Sequence, residues 1–155
     1  MVPSEITPRE IQNGLPDEIR PFLSVEAAPL PESFRPLVEA LWRAAGKIAP
    51  AIRLCKRVVI VITSSPWNVE FPNIGRLTLT PIGDAVHLTV EDIIFIDANK
   101  MQPYDPSYKE VSILEELVHA FMNVSDEALV KQIVCELYNE FEFTGGQYRL
   151  RRKGI

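Results

Sequence analysis

The sequence predicts a single α+β domain, in which a small mixed or antiparallel sheet packs on a helix that is followed by a second, antiparallel helix. Three features indicate this class: an apolar β-branched segment at Arg57–Thr63, short alternating segments that continue to Asp97, and helical periodicity from Tyr108 onward. The chain has 155 residues, of which 46% are hydrophobic and 24% are charged. That balance is typical of one globular domain with a core.

The N-terminal region is unusually rich in proline. Seven of the 13 prolines lie in the first 36 residues, and proline lacks the backbone donor that helices and sheets require. We therefore predict that residues 1–32 form an extended arm along the surface of the domain. The α+β domain itself is predicted to span residues 33–144, beginning with a helix capped by Ser33, and residues 145–155 to form a basic tail.

The middle of the chain is predicted to form the sheet. The apolar segment Arg57–Thr63 indicates a central strand covered on both faces. A proline-containing loop is expected at Ser64–Asn73. The alternating segments Leu77–Thr80 and Val86–Val90 predict a hairpin, and Asp92–Asp97 predicts another strand.

Two helices are predicted to complete the domain. The first spans about Tyr108–Asn123 and the second begins after a cap at Ser125. The second helix is expected to continue to about Phe143 and to stop at Gly145-Gly146. Because the turn between the helices is short, they are expected to run antiparallel.

Composition excludes several classes of function. With only two histidines, the chain cannot build a three-histidine zinc site, and its two cysteines form no CxxC pair. The formal net charge of -5 argues against a nucleic-acid partner, and the longest apolar run is far shorter than the roughly 20 residues of a membrane span. We expect a cytoplasmic protein with reduced, buried thiols at Cys55 and Cys135 and no membrane partner.

The helix at Ser112–Asn123 places polar residues on one face. Glu115 and His119 are four residues apart, so their side chains are neighbours, and Glu116 lies on the same side. An ordinary solvated ion pair is one interpretation of this face. His87 alternates with apolar residues, so we expect it on the polar face of a strand rather than in a site.

The segment EELVH at residues 115–119, preceded by the strand IIFID at residues 93–97, resembles the HExxH motif of zincin-like metallopeptidases of the short prokaryotic or phage-encoded type. The resemblance covers about Asp92–Phe143. It implies a zincin-like fold in which Glu116 is the general base and His119 is a zinc ligand. Glu115 stands where the motif has its first histidine, and a carboxylate can also bind zinc.

A third ligand is predicted from the geometry of the two helices. His119 lies about one turn before the reversal of the chain, so its partner should lie within one turn after it, and Glu127 satisfies this condition. Glu136 lies roughly 13 Å further along the helix axis. If a metal binds, the predicted ligands are therefore Glu115, His119 and Glu127, and the ion is zinc, manganese or iron.

Replacement of a histidine by Glu115 adds negative charge, which opposes ionisation of a metal-bound water. The sequence therefore predicts a zincin-like protein with altered or lost peptidase activity and a peptide or protein partner. Two alternatives stay open. One is an active metal-dependent peptidase or hydrolase; the other is an unrelated, non-enzymatic α+β interaction module in which no metal binds.

Overall fold

The computed structural model describes residues 4–63, 67–71, 73–80 and 86–152. They form a mixed α+β fold, as predicted. The elements in chain order are β1 (Glu5–Ile6), α1 (Pro8–Asn13), β2 (Leu23–Ala27), β3 (Leu30–Pro31), α2 (Arg35–Ile48), β4 (Val58–Thr63), β5 (Trp67–Phe71), β6 (Gly75–Leu79), β7 (His87–Val90), β8 (Ile93–Asp97), α3 (Ala98–Met101), α4 (Pro106–Met122), α5 (Glu127–Leu137), β9 (Phe141–Thr144) and β10 (Gln147–Leu150).

The main sheet has the strand order β2-β4-β8-β7. Strands β2, β4 and β8 are parallel, whereas β7 runs antiparallel to β8. The predicted central strand is confirmed, because Ile60 and Val61 of β4 point to opposite faces and both are buried. A β-branched strand of this kind suits a position covered on both faces.

The prediction of a surface arm at residues 1–32 is wrong for the described residues 4–32. They contribute β2, which pairs with β4 from Leu23 opposite Val58 to Ala27 opposite Ile62. Ile11 and Ile19 are also fully buried. The prolines are compatible with this packing because Pro8 opens α1, where a missing backbone donor costs nothing, and β2 itself contains no proline.

The pairing of the shorter strands also differs from the prediction. Trp67–Phe71, expected within a loop, forms β5 and pairs with β6. Strand β7 pairs with β8 rather than with β6, and Glu91 supplies the positive φ that a two-residue turn requires. The turn expected at residues 81–84 lies outside the described residues, as do residues 64–66 and 72 of the expected loop.

Helices α2 and α4 pack together against one face of the sheet. Helix α4 begins at Pro106 because the Asp105 side chain caps the amides of Ser107 and Tyr108. It ends at Asn123, whose left-handed backbone reverses the chain. The next helix is capped by Asp126 rather than by Ser125, as the side chain of Asp126 accepts a hydrogen bond from Leu129 N.

The C-terminal region corrects two predictions. Helix α5 ends at Leu137, not near Phe143, and residues 147–150 pair with β9 instead of forming a basic tail. Gly145 and Gly146 have φ values of 61° and 78°, so they form the tight turn of a hairpin rather than a helix stop. This hairpin carries Tyr148 toward α4.

The thiol prediction is confirmed for Cys135, which is buried, and wrong for Cys55, which is exposed. Burial raises the pKa of the Cys135 thiol, so that it stays protonated near neutral pH.

Within the described ranges, no helix combines the length and the apolar character needed to cross a membrane.

Candidate functional site

The polar face of α4 lies in an open cleft of about 600 Å³ between β7 and the start of α5. All four predicted site residues line this cleft. The side chains that carry its chemistry are His87 and Thr89 from β7, Glu115, Glu116 and His119 from α4, and Glu127 and Lys131 from α5.

The predicted proximity of His119 and Glu127 is confirmed. The Nε2 atom of His119 lies 3.4 Å from Oε1 of Glu127. The other ring nitrogen, Nδ1, donates to the backbone carbonyl of Val124 at 2.6 Å, which fixes the orientation of the imidazole. The left-handed turn at Asn123 allows this contact, because it places the first turn of α5 beside the last turn of α4.

Glu115 is held by groups from two other elements. The hydroxyl of Tyr148 donates to its Oε1, and the ammonium of Lys131 lies 3.1 Å from the same oxygen. Burial raises the pKa of Tyr148 well above its usual range, and the hydrogen bond to Glu115 raises this pKa further. The phenol is therefore a permanent donor to the carboxylate.

Lys131 connects Glu115 to Glu127. Its Nζ atom lies 3.6 Å from Oε2 of Glu127, one helical turn earlier on α5. The ammonium also lies 5.7 Å and 5.8 Å from the ring centres of Phe143 and Tyr148. Two carboxylates and two aromatic faces therefore surround this cation, an arrangement that suits a fixed positive charge.

Glu116 faces β7. His87 Nδ1 donates to its Oε1 at 2.6 Å, and the hydroxyl of Thr89 donates to its Oε2. Burial would raise the pKa of Glu116, but the hydrogen bonds from His87 and Thr89 outweigh burial and hold this pKa below its ordinary value. Burial would likewise lower the pKa of His87, yet the hydrogen bond and charge of Glu116 hold it above its ordinary value.

The alternative interpretation of this face as a solvated ion pair does not fit Glu115 or Glu116, since Glu115 is 8% exposed and Glu116 is 5% exposed. The expectation that His87 lies outside the site is also wrong. His87 and Thr89 are two positions apart on β7, so the strand pattern alone placed both side chains on the same face of the sheet. Lys131 was detectable as the residue four positions after Glu127, whereas Tyr148 had no local signal.

The predicted ligand set of Glu115, His119 and Glu127 stays a prediction, and a cation lies within it. The ammonium of Lys131 contacts Oε1 of Glu115 and Oε2 of Glu127, one position that an ion shared by the two carboxylates could take. A divalent ion at that point would meet the full charge of the ammonium at short range.

No protein-family description, curated protein or solved structure matches this chain. The interpretation of the cleft therefore depends on its own residues.

Proposed function

We propose that this chain is a zincin-like protein that has lost peptidase activity, and that its cleft binds a peptide or protein segment without cleaving it. The observation that supports this most directly is the position of Lys131, 3.1 Å from Glu115 and 3.6 Å from Glu127. A side-chain cation there neutralises the carboxylates that a metal would otherwise bind.

The state of Glu116 supports the same conclusion. A general base in a metallopeptidase must turn a carboxylate oxygen toward the water that it polarises. In this cleft both oxygens of Glu116 accept hydrogen bonds, one from His87 and one from Thr89. The carboxylate is thereby directed toward β7 and withdrawn from the role that the motif position implies.

Binding of an extended segment is favoured by the position of β7. Among the described residues, this strand pairs on one side only, with β8, and it lies beside the cleft. An edge strand of this kind can accept an additional strand through its backbone groups. Titration of the labelled protein with a mixture of extended decapeptides is expected to shift the amide NMR signals of His87–Val90 more than those of β2.

The proposed loss of catalysis is tested by restoring the residues that the motif requires. Glu115→His restores the motif, and Lys131→Ala removes the internal cation. We expect the unmodified chain and each single variant to leave a labelled casein substrate intact, and the double variant to bind zinc in a manner that depends on His119. Zinc content is measured by elemental analysis of protein that was never exposed to chelator.

The control is the same double variant with His119→Ala added, which is expected to lose the zinc. Hydrolysis of casein by the unmodified chain that disappears in His119→Ala would show an active metallopeptidase and overturn the proposal. Failure of the double variant to bind zinc, with its fold intact by circular dichroism, would contradict the assigned position of Lys131.

A further inference from the structure

A second group of ligand atoms lies on the opposite side of Glu115 from Glu127. We propose that His87, Glu115 and Glu116 form a site for a divalent transition-metal ion of the manganese type. Each residue offers one ligand atom, and these three atoms all lie within 4.8 Å of one another. The site differs from the predicted set because it uses His87 and Glu116 in place of His119 and Glu127.

The three ligand residues are supplied by rigid elements. Glu115 and Glu116 are adjacent in the middle of α4, and His87 is the first residue of β7. The Nδ1 atom of His87 lies 2.6 Å from Oε1 of Glu116 and shares a proton with it, so an ion that binds both atoms releases that proton to solvent. Metal bonds of about 2.0–2.2 Å place two ligand atoms of one ion at most about 4.4 Å apart. The three ligand atoms therefore lie near enough for one ion to bring them together.

Once the proton between His87 and Glu116 has left, the balance of charge at this point favours a cation. Two carboxylates are buried side by side, and the one lysine among the described residues in contact with them is Lys131, which contacts Glu115. Within the described residues, the hydrogen bonds to Glu115 fall on Oε1, which leaves Oε2 for another ligand. A buried surplus of carboxylate charge is costly unless a cation compensates it.

The donor set indicates the class of ion. One imidazole and two carboxylates form a hard, anionic site that suits manganese or ferrous iron at least as well as zinc. All three residues line the cleft, so the remaining coordination positions of the ion would face it. The inference rests on the proposed function in one respect: Lys131 must hold Glu127 and Oε1 of Glu115 for the ion to lie beside His87.

Manganese binding to the full chain provides the test, because free Mn²⁺ gives an electron paramagnetic resonance signal that is lost on binding. We expect the unmodified chain to bind one Mn²⁺. His87→Ala is expected to weaken binding about tenfold or more, whereas the matched variant His119→Ala is expected to change it less than about twofold. Glu116→Gln provides a second ligand variant if His87→Ala fails to fold by circular dichroism.

Each outcome has a definite consequence. Absence of Mn²⁺ binding in the unmodified chain, or binding that neither His87→Ala nor Glu116→Gln weakens, overturns this inference and leaves the proposed function standing. Binding that is lost in His119→Ala and kept in His87→Ala overturns both, because the ion would then lie at the position assigned to Lys131.

Discussion

Helix α4 carries two buried clusters of carboxylate charge that are built in opposite ways. Glu110, which is 2% exposed, accepts hydrogen bonds from Arg43 at 2.9 Å and from Lys47, and both cations belong to α2. Glu115 and Glu116, little more than one turn further on, are instead contacted by groups from β7, α5 and β10. In the first cluster an arginine and a lysine contact one carboxylate, whereas in the second one lysine and one histidine contact two carboxylates.

The difference separates a carboxylate that joins two helices from carboxylates that line an open cleft. A carboxylate that is neutralised by two cations from one packed helix stabilises the contact between those helices and has no charge left for a ligand. At the open cleft Glu115 contacts one lysine and Glu116 contacts one histidine, so a ligand that displaces the histidine proton can use their charge. Sites of this second kind often cost stability, because function rather than packing determines their charge.

The largest effect is expected at the structural cluster. Glu110→Ala leaves Arg43 and Lys47 unpaired at the interface between α2 and α4. Removing one partner of a buried pair costs about 3–5 kcal/mol, but Arg43 and Lys47 are 41% and 29% exposed and can regain water. We therefore expect a loss of about 2 kcal/mol in the free energy of unfolding, measured by urea denaturation.

Glu39→Ala is the matched control, because Glu39 is an exposed acid on α2. Its effect is expected to stay within about 0.5 kcal/mol. An equal loss of stability in the two variants would remove the distinction between Glu110 and an ordinary surface carboxylate.

A smaller effect is expected from Lys131→Met, which keeps most of the apolar stem and removes the ammonium from the cleft. Glu115 and Glu127 then lose their shared cation, and we expect the free energy of unfolding to fall by about 1 kcal/mol. Urea denaturation again provides the measurement. Lys131→Arg, which retains the charge, is expected to lose less; a loss as large as that of Lys131→Met would mean that packing against Phe143 and Tyr148 matters more than charge.

The smallest effect, of opposite sign, is expected from Glu115→Gln. The amide oxygen still accepts the hydrogen bond from Tyr148, and Lys131 keeps its ion pair with Glu127, while the repulsion between Glu115 and Glu116 is removed. We expect the free energy of unfolding to rise by about 0.5 kcal/mol. Glu110→Gln in the same assay is expected to lower it, and a fall of similar size in both variants would contradict the comparison.

Much of the fold was predictable because the residue pattern within each segment determines whether that segment forms a strand or a helix. The β-branched residues of β4 and β8 are buried in parallel strands, and the periodicity of α4 matches its packing against α2. The N-terminal region was misjudged because the proline count describes local backbone limits and gives no information about pairing. Strand β2 forms because its apolar residues Leu23 and Val25 meet β4 across the sheet.

The candidate site was predictable where two residues lie close in the chain. The pairing of His119 with Glu127 follows from a short turn between two helices, and this much was readable from spacing. The partners of Glu115 and Glu116 come from β7, α5 and β10, whose positions depend on tertiary packing. For that reason the sequence left a solvated helix face open as one interpretation, where the structure buries two carboxylates.

The parallel pairing of β2, β4 and β8 also affects how the chain reaches its native state. Leu23 meets Val58, and Val59 meets Ile93, so each pairing must close a long segment of chain before its contacts form. Such a topology has high contact order, and its folding is expected to take roughly milliseconds to seconds rather than microseconds. The cleft combines local contacts, in the β7–β8 hairpin and the α4–α5 turn, with the packing of α4 on β7 and β8, so its complete form depends on these long-range pairings.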